Sequence, residues 1–320
     1  MTAPQLSAAP AAPARKPRDD ELDAYGLTHP GKIRKENQDH FLICALRKQM
    51  VVQQTSLPGP EGLMGESQRL ALLMMVADGV GGGAKGEEAS RVALEEVGQY
   101  VARSMRCYYA AGSCDDREFF EALEAVAAQC HGELLRRGEE NPEYRGMATT
   151  LTLYLGVWPR AFLLQVGDSR CYLLRGSELT QITRDQTMAQ ELIDLGVLTR
   201  TDASTTKLAH TLSSSIGGRQ TAPAVTRMDL DWGNVVLLCS DGLTRHVSDE
   251  RIRHHLQSMT SAKQVCEDLV QEALEDGEAT TSPSSSVERW RARPRTRRTR
   301  PDLDRSTCPT SNVPSAARGR

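Results

Sequence analysis

The stretch LALLMMVADGVGGGAKGEEAS (residues 70–90) decides how the chain is organised. Eight apolar residues, 70–77, read as a β-strand and are far short of the roughly 20 that a membrane span needs. The strand delivers Asp78 at its C-terminal end. Glycines between Gly79 and Gly83 let the backbone approach an ion or a phosphate, and a helix begins at about Ala84. The turn lacks the Gly-Lys-Ser/Thr ending of a phosphate loop and does not match a dinucleotide fingerprint.

The same device occurs twice more. In NVVLLCSD (234–241) an apolar strand ends at Asp241, and in LLQVGDSR (163–170) another ends at Asp168, each beside glycine. One Asp-Gly after a strand is an ordinary chain reversal. Three strand-end carboxylates pose a sharper question, because a buried carboxylate without a cation, a helix N-terminus or water is costly. Hard oxygen donors with no His or Cys cluster favour Mg²⁺ or Mn²⁺ over zinc. In GKIRKENQDHF (31–41), Arg34 stands five residues before Asp39 at the start of a strand. That pair is either a phosphate clamp beside an acid or a solvated surface cluster.

Strands are expected at 23–29, 40–46, 70–78, 150–157, 161–168, 171–176, 224–231 and 234–241. Turns at 158–160, 167–170 and 176–178 favour antiparallel hairpins over crossovers. Two long amphipathic helices, 86–109 and 115–137, and shorter ones near 187–195, 248–258 and 261–276 would cover the sheets. The expected fold class is α+β, with two packed antiparallel sheets and helices outside.

The chain has 320 residues, enough for one large domain. Residues 1–20 are Ala/Pro-rich, lack the apolar core of a secretory signal and read as a disordered arm. Eight cysteines without a CxxC pair argue against a zinc ribbon or a disulfide scaffold and suit a reduced cytoplasm. The net charge of −3 hides an asymmetry. Residues 287–320 hold ten arginines against Glu288, Asp302 and Asp304, about +7, which leaves residues 1–286 near −10.

LTHPGKIRKENQDHF, VADGVGGGAKGEEAS, MATTLTLYL, LLQVGDSRCYLLRGSELTQITRDQT, LSSSIGG and LLCSDGL together resemble, in sequence and order, the metal-dependent type 2C serine/threonine protein phosphatases in their compact bacterial form. The resemblance runs from about Leu22 to Asp276. It implies a four-layer α/β/β/α sandwich, with domain limits of 21–276. It further implies that Asp78 bridges two Mn²⁺ or Mg²⁺ ions, that the Gly79 carbonyl helps hold one, and that Asp241 holds the other. Asp39 would orient a metal-bound water, Asp168 with Asp241 would form a weaker third site, and Arg34 would grip the substrate phosphate. Thr149 and Thr150 would shape the sheet beneath. The implied reaction is attack of a metal-bridging hydroxide on phosphoserine or phosphothreonine in proteins, reversing a cognate Ser/Thr kinase. Val80 and Gly83 stand where relatives carry histidines, and residues 186–212 correspond to a variable flap beside the cleft.

The family closes with a phrase like Gly-Gly-x-Asp-Asn-Ile-Thr followed by valines, which supplies a further metal carboxylate and a core strand. Here the chain reads EATTSPSSSVER from Glu278, so the last core strand is expected to be missing and 277–320 to be a disordered Arg-rich tail. Codons read one base earlier across 278–286 are compatible with Gly-Ser-Asp-Asn-Ile-Thr-Val-Val-Val. A base lost near codon 277 would make 278–320 out-of-frame translation, and the nucleotide sequence across that codon decides it. The absent ligand motivates an alternative function, a catalytically impaired phosphoprotein-binding module. A nucleic-acid anchor in the Arg-rich tail is the weaker reading, because its arginines lack aromatic interleaving.

Overall fold

The apolar run 70–77 lies in β3 (Gln68–Val80), a strand whose two faces are both used. A computed structural model describes residues 15–32, 36–48, 68–104, 116–204, 206–276 and 284–290. Because side chains alternate across a strand, Ala71, Leu73, Met75 and Ala77 point one way and Leu72, Met74 and Val76 the other. The first set packs under two helices, and the second fills the space between two sheets. Burial on both faces explains why the run shows no polar alternation.

The first sheet runs β2 (Asp39–Lys48), β3, β5 (Leu151–Val157), β6 (Arg160–Val166), β9 (Ala224–Asp229), with the two-residue β4 (Ala148–Thr149) paired to the end of β3. The second runs β1 (Leu22–Thr28), β11 (Ser284–Trp290), β10 (Val235–Cys239), β7 (Arg170–Arg175), β8 (Glu178–Gln181). Helices α1 (Ala84–Ser104) and α2 (Asp116–Glu140) cover the first sheet. There Phe119 stacks on Phe162 at 4.3 Å between ring centroids. Helix α6 (Asp249–Ser258), capped by Ser248, and α7 (Ala262–Asp276) cover the second, burying Ile252, Leu256, Val265 and Leu269 against Val235 and Leu237. Short helices α3 (Met188–Asp194), α4 (Arg200–Ser204) and α5 (Asp241–Thr244) lie between. The expected α/β/β/α layering is therefore present.

Three expectations are corrected. The last core strand is not missing: β11 occupies the gap between β1 and β10, in register Tyr25↔Val287 and Leu237↔Val287. Two neighbouring strands each present a row of N–H and C=O groups, and the backbone of any extended segment can satisfy both rows. The ladder does not require valines. The strand opens at Ser284, where the shifted reading frame would first spell valine. Second, residues 167–170 form no hairpin, since β6 and β7 lie in different sheets and the turn carries the chain across. Third, order extends into the supposed arm from Arg15. The Arg15 guanidinium lies 4.9 Å from the Trp232 ring centroid and pairs with the buried Glu21 at 2.6 Å, and the Trp232 indole N–H donates to the Arg15 carbonyl at 3.2 Å. Lys16 Nζ donates to the carbonyls of Arg69 and Leu70. Residues 1–14 and 291–320 lie outside the described residues, as do the arm and tail expectations that fall on them.

Among the described residues, Cys44, Cys130 and Cys239 are free thiols, and no helix is long and apolar enough to cross a membrane. Truncation after Asp276 strips β1 and β10 of their shared partner, a loss set against a net stability of about 5–15 kcal/mol. The expected outcome is disappearance of the cooperative thermal transition in circular dichroism. A truncated chain melting within a few degrees of the full one would show β11 to be dispensable.

Candidate metal centre and active site

Antiparallel pairing places Asp39, the first residue of β2, directly opposite Asp78 near the end of β3. Like charges opposite each other oppose strand pairing unless something compensates. Asp39 is buried, and its Oδ2 accepts a 2.6 Å hydrogen bond from Ser240 Oγ, a residue of the other sheet's β10 end. That bond ties the two sheets together beside the acids.

Asp78 is held by its backbone. Its N–H donates to Thr150 Oγ1, and its carbonyl accepts from Thr149 Oγ1 and from the Thr150 N–H, all at 2.9 Å. The two threonines thus support the strand end, as expected of them. Thr150 Oγ1 also shares a 2.8 Å hydrogen bond with Ser169 Oγ, in the turn that carries Asp168. That turn depends on Gly167, whose φ of +104° is in glycine's range; a Cβ there would lie 2.7 Å from Thr150 Cγ2. Asp241 opens α5 at the end of β10.

The three strand-end acids line one cleft of about 880 Å³, together with Gly79, His210 and Arg245. Burial first, then the charges of Asp39, Asp241 and Asp168, push the Asp78 carboxyl well above the usual carboxylate range. Asp168 is pushed up to about 8 by burial and by Asp241 and Asp185, with Arg245 pulling against them. Such crowding of acids is what a divalent cation relieves, and the donors are all oxygen. In this conformation, however, Asp39 is turned to Ser240 and Asp241 is ion-paired with Arg245. Among the described residues no three His, Cys, Asp or Glu side chains surround one point closely enough to hold an ion. The donor chemistry fits Mn²⁺ or Mg²⁺, provided these two carboxylates turn.

The glycine turn needs its glycines for two separate reasons. Gly81, Gly82 and Gly83 adopt φ of +123°, +72° and +54°. Gly79 faces Gly86 in the first turn of α1, so closely that a Cβ on Gly79 would lie 2.0 Å from the Gly86 carbonyl oxygen. Val80 is exposed at the cleft. Arg34 lies outside the described residues, so the structure does not place it.

A second cavity of about 960 Å³ adjoins the first beneath the flap, and Asp168, His210, Asp241 and Arg245 line both. The flap's ends are tied by Met188 N–H to the Thr211 carbonyl (2.8 Å) and Ser213 N–H to the Gln186 carbonyl (2.9 Å). Sequence reasoning missed Ser240, His210 and Arg245. For Arg245 a signal existed: it stands four residues after Asp241, the spacing at which helical side chains meet.

A family model for protein phosphatase 2C matches residues 63–277, and the chain belongs to that family. It is 36% identical over 191 residues to the serine/threonine protein phosphatase PstP of Mycobacterium tuberculosis, a match covering 58% of this chain and 34% of PstP. The chain thus spans about a third of that relative's length. Protein phosphatase PhpP of Streptococcus pneumoniae is 30% identical over 207 residues, covering 64% of this chain and 80% of PhpP. The crystal structure of the M. tuberculosis phosphatase superposes with a TM-score of 0.68 at 27% identity, covering 85% of this chain and 99% of that one. A PstP catalytic domain in complex with two manganese ions gives a TM-score of 0.64 at 28% identity, covering 84% and 97%.

Gly79→Ala is expected to cost at least about 1–3 kcal/mol in urea denaturation, since the Gly86 carbonyl must move; an unchanged midpoint would refute the close approach. A second expectation concerns pH. Because the folded pKa of Asp168 lies above the ordinary value, its favourable contribution is full below about pH 4 and lost as pH rises through about 8. In chelator-treated protein, Asp168→Asn should therefore gain stability relative to wild type across that window. Parallel melting-temperature profiles would contradict it.

Proposed function

We propose that this chain is a metal-dependent phosphoprotein phosphatase, hydrolysing phosphoserine and phosphothreonine. The observation that carries the reading is the gathering of Asp39, Asp78, Asp168 and Asp241 at one end of the paired sheets, with Asp39 and Asp78 as cross-strand partners. Asp78, the Gly79 carbonyl and Asp241 would hold two Mn²⁺ or Mg²⁺ ions, and Asp168 with Asp241 a weaker third. When bound, the ions supply Lewis acidity toward the phosphoryl oxygens and activation of a water.

The protein's own part is positional. Thr149 and Thr150 fix the backbone on which the Asp78 carboxylate sits, and Ser240 holds Asp39 until an ion draws its carboxylate round. Asp39 would accept a hydrogen bond from the attacking water and aim it, while Arg34 would hold the phosphoryl oxygens. With Val80 and Gly83 in the turn, no imidazole from that loop supplies the leaving-group proton. No cysteine nucleophile is invoked: burial pushes the thiols of Cys130 and Cys239 up to about 12, where they stay protonated.

The substrates would be phosphoproteins made by a Ser/Thr kinase, and free cysteines support a reduced, cytoplasmic setting. No observation favours the impaired binding module, and the relatives are named as phosphatases. Expected outcome: Mn²⁺-dependent phosphate release from a phosphothreonine peptide by the full chain, reduced at least about a hundredfold in Asp78→Asn with the circular dichroism spectrum kept. Equal rates in the two proteins, or release that persists in excess chelator, would sink the proposal.

A further inference from the structure

Asp241 and Arg245 are brought together by α5. Ser240 starts the helix, the Arg245 N–H donates to the Asp241 carbonyl at 3.0 Å, and the four-residue spacing stacks the two side chains on one face. Their charged groups form an ion pair, with the Asp241 side chain 14% exposed and Arg245 29% exposed. The guanidinium borders both cavities, alongside Asp168 and His210. The other arginines of the second cavity are engaged elsewhere: Arg170 binds Asp185 through two nitrogens at 2.9 and 2.7 Å, and Arg184 pairs with Asp194. Arg245 thus brings a positive charge directly onto a carboxylate of the proposed centre.

We infer that Arg245 is a built-in counter-cation for Asp241, which a divalent ion must displace before it can take that carboxylate as a ligand. The inference rests on reading Asp241 as an ion ligand and adds a positioning residue to that centre. A guanidinium and a metal ion compete for the same oxygen lone pairs, and the loser is left facing a positive neighbour at short range. Apparent metal affinity is therefore set partly inside the protein: the intrinsic affinity of the carboxylates is lowered by the cost of breaking the ion pair. In exchange, Asp241 is not left as a bare charge next to Asp78 and Asp168 when no ion is bound. Arg245 lies partly in solvent, so this opposition weakens as salt screens it.

The test measures metal binding and needs no turnover. Mn²⁺ binding to the full chain is followed by isothermal calorimetry and by the electron paramagnetic resonance signal of free Mn²⁺, for wild type, Arg245→Gln and Arg245→Lys. Arg245→Gln is expected to bind Mn²⁺ about tenfold more tightly at low salt, the gain shrinking at high salt, while Arg245→Lys stays near wild type because it keeps the charge. Equal or weaker binding by Arg245→Gln, or equal tightening by Arg245→Lys, overturns the role given to Arg245 while leaving the centre intact. Absence of Mn²⁺ binding in all three overturns the metal reading itself and this inference with it.

Discussion

Everything at the cleft follows from one constraint: β2 and β3 are paired so that two acids, Asp39 and Asp78, face each other across the ladder. A sheet ordinarily avoids that arrangement, because the repulsion is delivered through the hydrogen bonds that hold the strands. Here the strands cannot slip. Moving the register by one residue would send Ala71, Leu73, Met75 and Ala77 out from under the helices and into the space between the sheets. The apolar core therefore holds the acids where electrostatics alone would not leave them. Asp168 and Asp241 reach the same place from the ends of β6 and β10, on strands buried just as completely.

This explains which parts of the molecule were legible in the sequence. Strand-end acids announce themselves because a long apolar run stops abruptly at a carboxylate beside glycine, a local pattern. The helices at 84–104, 249–258 and 262–276 follow from amphipathic spacing. Both packed sheets follow from strand number and short turns. What escaped depends on partners far away along the chain. Ser240 matters because it meets Asp39, and Arg15 is ordered because it meets Trp232. Neither pairing leaves a trace in local composition.

The central strand β11 is the instructive failure. SSSVERW offers little of the apolar, β-branched signal of its neighbour VVLLC, and a reader of side chains discards it. Its place is defined instead by what surrounds it: β1 on one side and β10 on the other, each with unsatisfied main-chain groups. Backbone demand is blind to sequence, which is why a segment of poor local propensity can stand in the middle of a sheet. Arg34 marks the opposite case, a residue legible by resemblance whose loop lies outside the described residues.

The passage from β6 to β7 leads beyond the static picture. Residues 167–169 are the short strap by which the chain leaves one sheet for the other, and Ser169 is stitched to Thr150 while Ser240 is stitched to Asp39. Two such fastenings at one end of a sandwich act as a hinge pin. At the far end the Trp232 turn makes a second covalent crossing, from β9 to β10, and Arg15 and Lys16 clip it, so the sandwich is pinned at both ends. Sliding of one sheet over the other is resisted at both ends, so the spacing of the carboxylates is set by the same fastenings that join the sheets.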